Sequence, residues 1–178
     1  MKRNHFLIVV DMQNDFIDGS LGTSQAQAML PEAAETIRRR REDGYRLIAT
    51  LDTHSEDYLD TPEGKKLPVR HCIRASHGWE LNPMIREALG DCTLVEKPTF
   101  GSVTLPGILE GMAESGEPLT LELMGLCTDI CVISNALLLK AHFPDARLSV
   151  HTRCCAGVTP EKHLAALDVM QSCQIDLI

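Results

Sequence analysis

Phe6-Leu7-Ile8-Val9-Val10-Asp11-Met12-Gln13-Asn14-Asp15-Phe16 is a short apolar run that stops on a carboxylate and a polar cluster. Five consecutive apolar residues of this kind read as a buried strand. The run is too short for a signal peptide, and no small-residue cleavage site follows it. Outward from it, apolar runs alternate with longer amphipathic ones. Strands are predicted at 46–51, 93–96, 119–124, 147–151 and 175–178. Helices are predicted at 31–43, 82–89, 108–115, 129–141 and 160–172. Pro31 is placed in the first turn of its helix, and Gly44 closes it. Thr128 is placed as the N-cap of the 129–141 helix. This alternation implies right-handed crossovers and an α/β fold: a three-layer αβα sandwich around a mostly parallel sheet. The 178 residues form a single domain, 1–178, long enough to bury a substantial core.

Charge and cysteine content exclude several function classes. Lys and Arg total 17 against 25 Asp and Glu, a net charge of −8 that opposes a nucleic-acid partner. No apolar run reaches the ~20 residues that cross a bilayer, so no membrane partner is expected. Seven cysteines in irregular spacing, with no secretory signal read, favour a reducing compartment and cytoplasmic location over a disulfide framework. The segment from Asp52 to Trp79 has no period and carries three histidines and the single tryptophan. Long loops of this kind in compact domains are commonly functional.

In open parallel sheets, ligands bind beyond the carboxyl ends of the strands. The residues following the predicted strands are Asp11, then Asp52-Thr53-His54, then Lys97, then Gly125-Leu126-Cys127-Thr128-Asp129-Ile130-Cys131. They therefore line one edge. Cys131 is the candidate nucleophile, because the first turn of a helix favours thiolate. Asp11 is its candidate base, and Lys97 would hold Asp11 ionised. Asp52, His54 and His71 suit a divalent cation, with His77 a competitor on composition alone. The bland readings are core packing for Cys131 and Cys154-Cys155, and a solvated helix end for Arg38–Arg41. For His142, His151 and His163 the bland reading is a surface or capping role.

Val9–Phe16, then Glu96-Lys97-Pro98-Thr99-Phe100-Gly101-Ser102, then Gly125–Val132 together resemble the isochorismatase-like cysteine hydrolases, which include the nicotinamidases. The motifs occur in family order, and the similarity spans essentially the whole chain. The resemblance implies a triad of Asp11, Lys97 and Cys131, and an oxyanion hole from the backbone amides of Cys127 and Cys131. It implies a cis peptide at Leu126–Cys127, and a metal on Asp52, His54 and His71. Zinc is the first expectation for that metal, with iron or manganese open. The implied reaction is hydrolysis of a small amide through a thioester, with nicotinamide the leading substrate. Homo-oligomers are usual in the family. Nicotinamidases often carry an aromatic residue before the metal histidine. This chain has Leu67-Pro68-Val69-Arg70 there, so Phe16, Phe100 and Trp79 become the candidate substrate contacts. The alternatives are an N-carbamoyl or ureido amidase on the same triad, and a non-catalytic binding protein or redox sensor built on Cys127 and Cys131.

Overall fold

The computed structural model describes residues 4–114 and 116–178. In chain order the elements are β1 (His5–Val10), α1 (Asn14–Ile17), α2 (Ser24–Glu42), β2 (Arg46–Asp52), α3 (Pro62–Lys66), α4 (Pro83–Leu89), β3 (Thr93–Lys97) and α5 (Leu105–Met112). They continue with β4 (Thr120–Leu126), α6 (Ile133–His142), β5 (Arg147–Ala156), α7 (Pro160–Ser172) and β6 (Asp176–Leu177). The six strands form one sheet in the order β3-β2-β1-β4-β5-β6, and every neighbouring pair is parallel. α2 packs with α4, and α6 with α7. Right-handed crossovers that step outward in opposite directions put these two pairs on opposite faces, giving the three layers.

The core follows from strand position. Phe6 to Val10 are fully buried, as a central strand covered on both faces requires. β3 is an edge strand and its Leu94 is half exposed.

The chain leaves β1 in one direction through β2 and β3, then returns to lie beside β1 as β4. β1 and β4 therefore flank the switch point where such sheets open a crevice. Gly125 makes their close approach possible. It has φ +130°, and a β-carbon there would lie 2.0 Å from the Val10 carbonyl oxygen. Any side chain would drive the two strands apart at the point where Asp11 and Cys127 emerge.

Three expectations are corrected. The helix expected at 31–43 begins seven residues earlier. Thr23 caps it, its hydroxyl accepting from the Ala26 amide at 3.0 Å, and Pro31 lies inside. The buried face runs through Ala26, Met29, Leu30, Ala33, Ala34 and Ile37, and this continuous burial outweighs the hydrogen bond that the proline removes. Thr128 is not a helix cap: 128–132 forms a wider π-type turn before α6, and the Thr128 hydroxyl goes elsewhere. The 108–115 helix starts at Leu105 and ends at Met112, and Ser115 lies outside the described residues.

The arginines of α2 are not merely a solvated end. Arg40 Nε donates to Glu122 Oε2 on β4 at 2.6 Å, and the same oxygen meets His151 Nε2 at 2.6 Å. Tyr45 donates to Glu122 Oε1 at 2.7 Å. Burial alone would raise the Glu122 pKa. The bonds from His151, Arg40 and Tyr45 outweigh it and hold the carboxyl at about 2, against the usual 4.5. A depressed carboxyl stabilises the fold fully above pH 4.5, and that contribution is lost as pH falls through about 2. Glu122→Gln is expected to lose about 1–3 kcal/mol at pH 7 and to flatten the acid limb of the stability curve between those limits. Urea titrations of both proteins across that range check it.

Candidate active site

The DMQND segment that follows β1, Asp11 to Asp15, organises the crevice. Asp11 takes a left-handed backbone, φ 49°, and its amide donates to the Thr50 carbonyl at 3.2 Å. The Thr50 hydroxyl donates to Asp11 Oδ1 at 2.6 Å. Gln13 is fully buried and clasps the main chain of Asp52. Its Oε1 accepts from the Asp52 amide at 2.8 Å, and its Nε2 donates to the Asp52 carbonyl at 2.9 Å and the Trp79 carbonyl at 2.8 Å. Asn14 donates to the His77 carbonyl, and Asp15 accepts from the Cys72 amide, both at 2.8 Å. These three residues fasten the 52–81 segment against β1. That segment is not structureless: it holds α3 and two short 3-10 turns, Tyr58–Asp60 and His77–Trp79.

Lys97 stands at the centre. Its Nζ lies 2.6 Å from Asp11 Oδ2, 3.3 Å from Asp52 Oδ1 and 3.5 Å from Cys131 Sγ. Asp11, Lys97 and Cys131 are all at most 4% exposed. Burial would lower the Lys97 pKa, but the charges of Asp11, Cys131 and Asp52 hold it above the usual lysine range. Burial raises the Asp11 pKa, and Lys97 offsets this only in part. Asp11 Oδ2 has the Lys97 ion pair but no hydrogen bond of normal geometry among the described residues. Burial, followed by the charge of Asp11, pushes the Cys131 thiol well up. Both effects work against the thiolate expected from a helix terminus.

Asp52, His54 and His71 converge, with ligand atoms within 4.8 Å of one another. His54 Nε2 is 3.0 Å and His71 Nε2 is 3.5 Å from Asp52 Oδ2. Glu63 on α3 adds a fourth donor, its Oε1 lying 3.8 Å from His54 Nε2 and 3.9 Å from His71 Nε2. Ligand atoms about 2.1 Å from a tetrahedral zinc stand about 3.4 Å apart, and these separations bracket that value. His71 Nδ1 lies 2.8 Å from the Val69 carbonyl, which fixes the tautomer that leaves Nε2 free to ligate. Tyr58, fully buried, packs against both imidazoles, tilted to His54 at 4.6 Å and edge-on to His71 at 4.9 Å between ring centres. Burial would raise the Asp52 pKa, but bonds from His54 and His71 and the Lys97 charge hold it well below the usual carboxylate range. This donor set fits a divalent cation. His77 is exposed and pairs with Glu80, away from the cluster.

A cavity of about 310 Å³ opens onto these groups. Phe16, Phe100, Cys127, Cys131, Asp52, Glu63 and His71 line it, with Leu67, Ile130, Val158 and Lys162 among its walls. Trp79 does not line it. It borders a separate groove with Leu51, Leu81 and Leu94, and its indole N–H donates to the Thr53 hydroxyl at 2.8 Å. The Leu126–Cys127 peptide is cis. The Cys127 carbonyl accepts from both the Ile130 and Val132 amides at 3.1 Å, which shapes the turn carrying Cys131. Sequence reading missed Glu63, Thr50 and Lys162. Thr61-Pro62-Glu63 carries a cap-and-proline helix start that would have drawn attention to Glu63.

The nicotinamidase/pyrazinamidase of Mycobacterium tuberculosis is 25% identical over 185 residues, covering 97% of each chain. The pyrazinamidase of Pyrococcus horikoshii, solved in complex with zinc, superposes with a TM-score of 0.82 at 28% identity over 98% of both chains. N-carbamoylsarcosine amidase from Thermoplasma acidophilum gives a TM-score of 0.77 at 26% identity, over 98% of this chain and 95% of that one. The isochorismatase domain model matches residues 5–178, and the chain belongs to the isochorismatase family.

Proposed function

We propose that the protein is a cysteine amidohydrolase that converts nicotinamide to nicotinate and ammonia. The observation that carries this reading is the position of Lys97 Nζ, within 3.5 Å of the Asp11 carboxylate, the Asp52 carboxylate and the Cys131 sulfur, the last two of which line a small cavity. Similarity to nicotinamidases and pyrazinamidases supports the amide chemistry and the substrate class.

In this reading Asp11, its pKa raised by burial, takes the Cys131 proton as sulfur attacks the amide carbon. The backbone amides of Cys127 and Cys131 receive the oxyanion. Asp11 returns the proton to nitrogen, the carbon–nitrogen bond breaks, and ammonia leaves a thioester on Cys131. Water then attacks the thioester carbon, Asp11 takes its proton, and the acid departs as the thiol re-forms. Lys97 keeps its charge throughout and offsets the negative charge that moves between Asp11 and Cys131. Asp52, His54, His71 and Glu63 would hold a divalent cation, zinc by preference, which when bound supplies a Lewis acid for a ring nitrogen or a water. Phe16 and Phe100 form aromatic walls for the substrate ring. All seven cysteines are free thiols, which suits a reducing compartment, and we place the enzyme in the cytoplasm. No helix among the described residues is long and apolar enough to cross a membrane.

A second reading rests on Lys162. It lines the cavity and has no ion-pair partner among the described residues, so it could receive the carboxylate of an N-carbamoyl amino acid. Ammonia release from nicotinamide and from N-carbamoylsarcosine by metal-loaded protein separates the two. Release from nicotinamide alone supports the first; release confined to the carbamoyl compound overturns it. His54→Ala and His71→Ala are each expected to lower bound metal to less than about a tenth of wild type, since outer and inner ligand losses both cut affinity steeply. Elemental analysis after dialysis checks this, and full occupancy in both variants would move the site elsewhere.

A further inference from the structure

The 128–132 turn is held from outside by the junction of β5 and α7. Thr128 is fully buried, and its hydroxyl lies 2.8 Å from His163 Nδ1 on α7. The next residue is held by the same junction: Asp129 Oδ1 accepts from the Val158 amide at 2.9 Å. Gly157 closes the contact, because a β-carbon there would lie 2.8 Å from both Asp129 Oδ1 and the His163 amide nitrogen. The two residues that follow Cys127 are thus clasped by one segment, three and two residues before Cys131. Inside the turn the Ile130 and Val132 amides bond to the Cys127 carbonyl, and the Thr128 hydroxyl, which does not cap it, supplies the tie to α7.

We propose that His163 is a positioning residue, whose bond to Thr128 fixes the turn that carries Cys127 and Cys131 and so aligns the sulfur with Asp11 and Lys97. The inference rests on the reading of Cys131 as nucleophile given above. Burial holds the His163 imidazole below its usual range, so the clasp is a neutral hydrogen bond at physiological pH. A misplacement of about 1 Å at a reacting group costs about 10²-fold in rate. The alternative is that His163 only satisfies a buried hydroxyl. In that case replacing both partners by apolar residues of similar shape would restore the protein.

The test compares His163→Phe, Thr128→Val, the double variant and His163→Asn in the metal-loaded enzyme. The expected result is a loss in kcat of about 10–100-fold in both single variants, with KM within about threefold. The double variant should lose no more than either single, and should regain thermal stability without regaining kcat. His163→Asn, which keeps a polar atom near the Nδ1 position, should recover most of kcat. A second arm needs no amide substrate: alkylation of Cys131 by iodoacetamide, followed by mass spectrometry, should slow about fivefold or more in His163→Phe. Recovery of kcat in the double variant, or wild-type kcat and alkylation in His163→Phe, would overturn the proposal. If wild type hydrolyses no amide, the proposed function fails while the alkylation arm still decides the role of His163.

Discussion

Cys131→Ala is expected to reduce ammonia release from nicotinamide by about 10⁴-fold or more while leaving the fold in place. No other cysteine can substitute. Cys127 lines the same cavity but lies four residues earlier on the turn, and burial raises its thiol to about 12. Lys97 has ion-pair contacts with Asp11 and Asp52 and none with a second thiol. Loss of the sulfur removes the acceptor of the acyl group, so no thioester can form. The structural penalty is small, about 1 kcal/mol for a small buried group, because both carboxylates keep their cation. Rate measurements with a coupled ammonia assay, beside a thermal melt, check both halves. A variant with more than about 1% of wild-type turnover would remove Cys131 from the mechanism.

Lys97→Met is expected to have the largest combined effect. The methionine fills similar volume but leaves Asp11 and Asp52, both nearly fully buried, without the cation that lies within 3.3 Å of each. Breaking a buried ion pair by removing one partner costs about 3–5 kcal/mol. Asp11 would then retain a proton and cease to act as a base, so turnover should vanish together with stability. The Asp52 carboxylate would still face His54 and His71, so metal should bind, though to a less stable protein. Urea unfolding with and without zinc separates these effects. A wild-type midpoint in the variant would show that Lys97 is not the electrostatic keystone of the crevice.

Much of this site could be read from position alone. Asp52 and Lys97 are the last residues of their parallel strands, Asp11 and Cys127 the first beyond theirs, and the sheet brings such ends to one edge whatever the loops do. The strand reading therefore brought Asp11, Asp52 and Lys97 to one edge, with Cys131 five residues beyond β4 on the turn that follows. Residues on α7 were beyond reach, because their approach depends on how a helix packs. His163 and Lys162 look like ordinary surface residues until α7 is docked against the 128–132 turn. Trp79 erred in the other direction. Its position in a long histidine-bearing loop suggested a pocket wall, but its indole N–H donates to the Thr53 hydroxyl and it borders a separate groove. His151 and Arg40 were similarly hidden. Each reads as peripheral in its own element, and both converge on Glu122 only when α2, β4 and β5 are assembled.

The tethering of Trp79 has an optical consequence. It is the single tryptophan of the chain, and hydrogen bonds at its carbonyl and its indole tie it to Gln13 and Thr53, the neighbours of Asp11 and Asp52. Tryptophan emission therefore originates beside the crevice and not in the bulk of the sheet. Tryptophan fluorescence will register detachment of the metal-binding segment, whereas far-ultraviolet dichroism registers loss of the strands and helices. Where the two signals part under mild denaturant or chelation, the gap measures how independently the crevice can open while the scaffold stays folded.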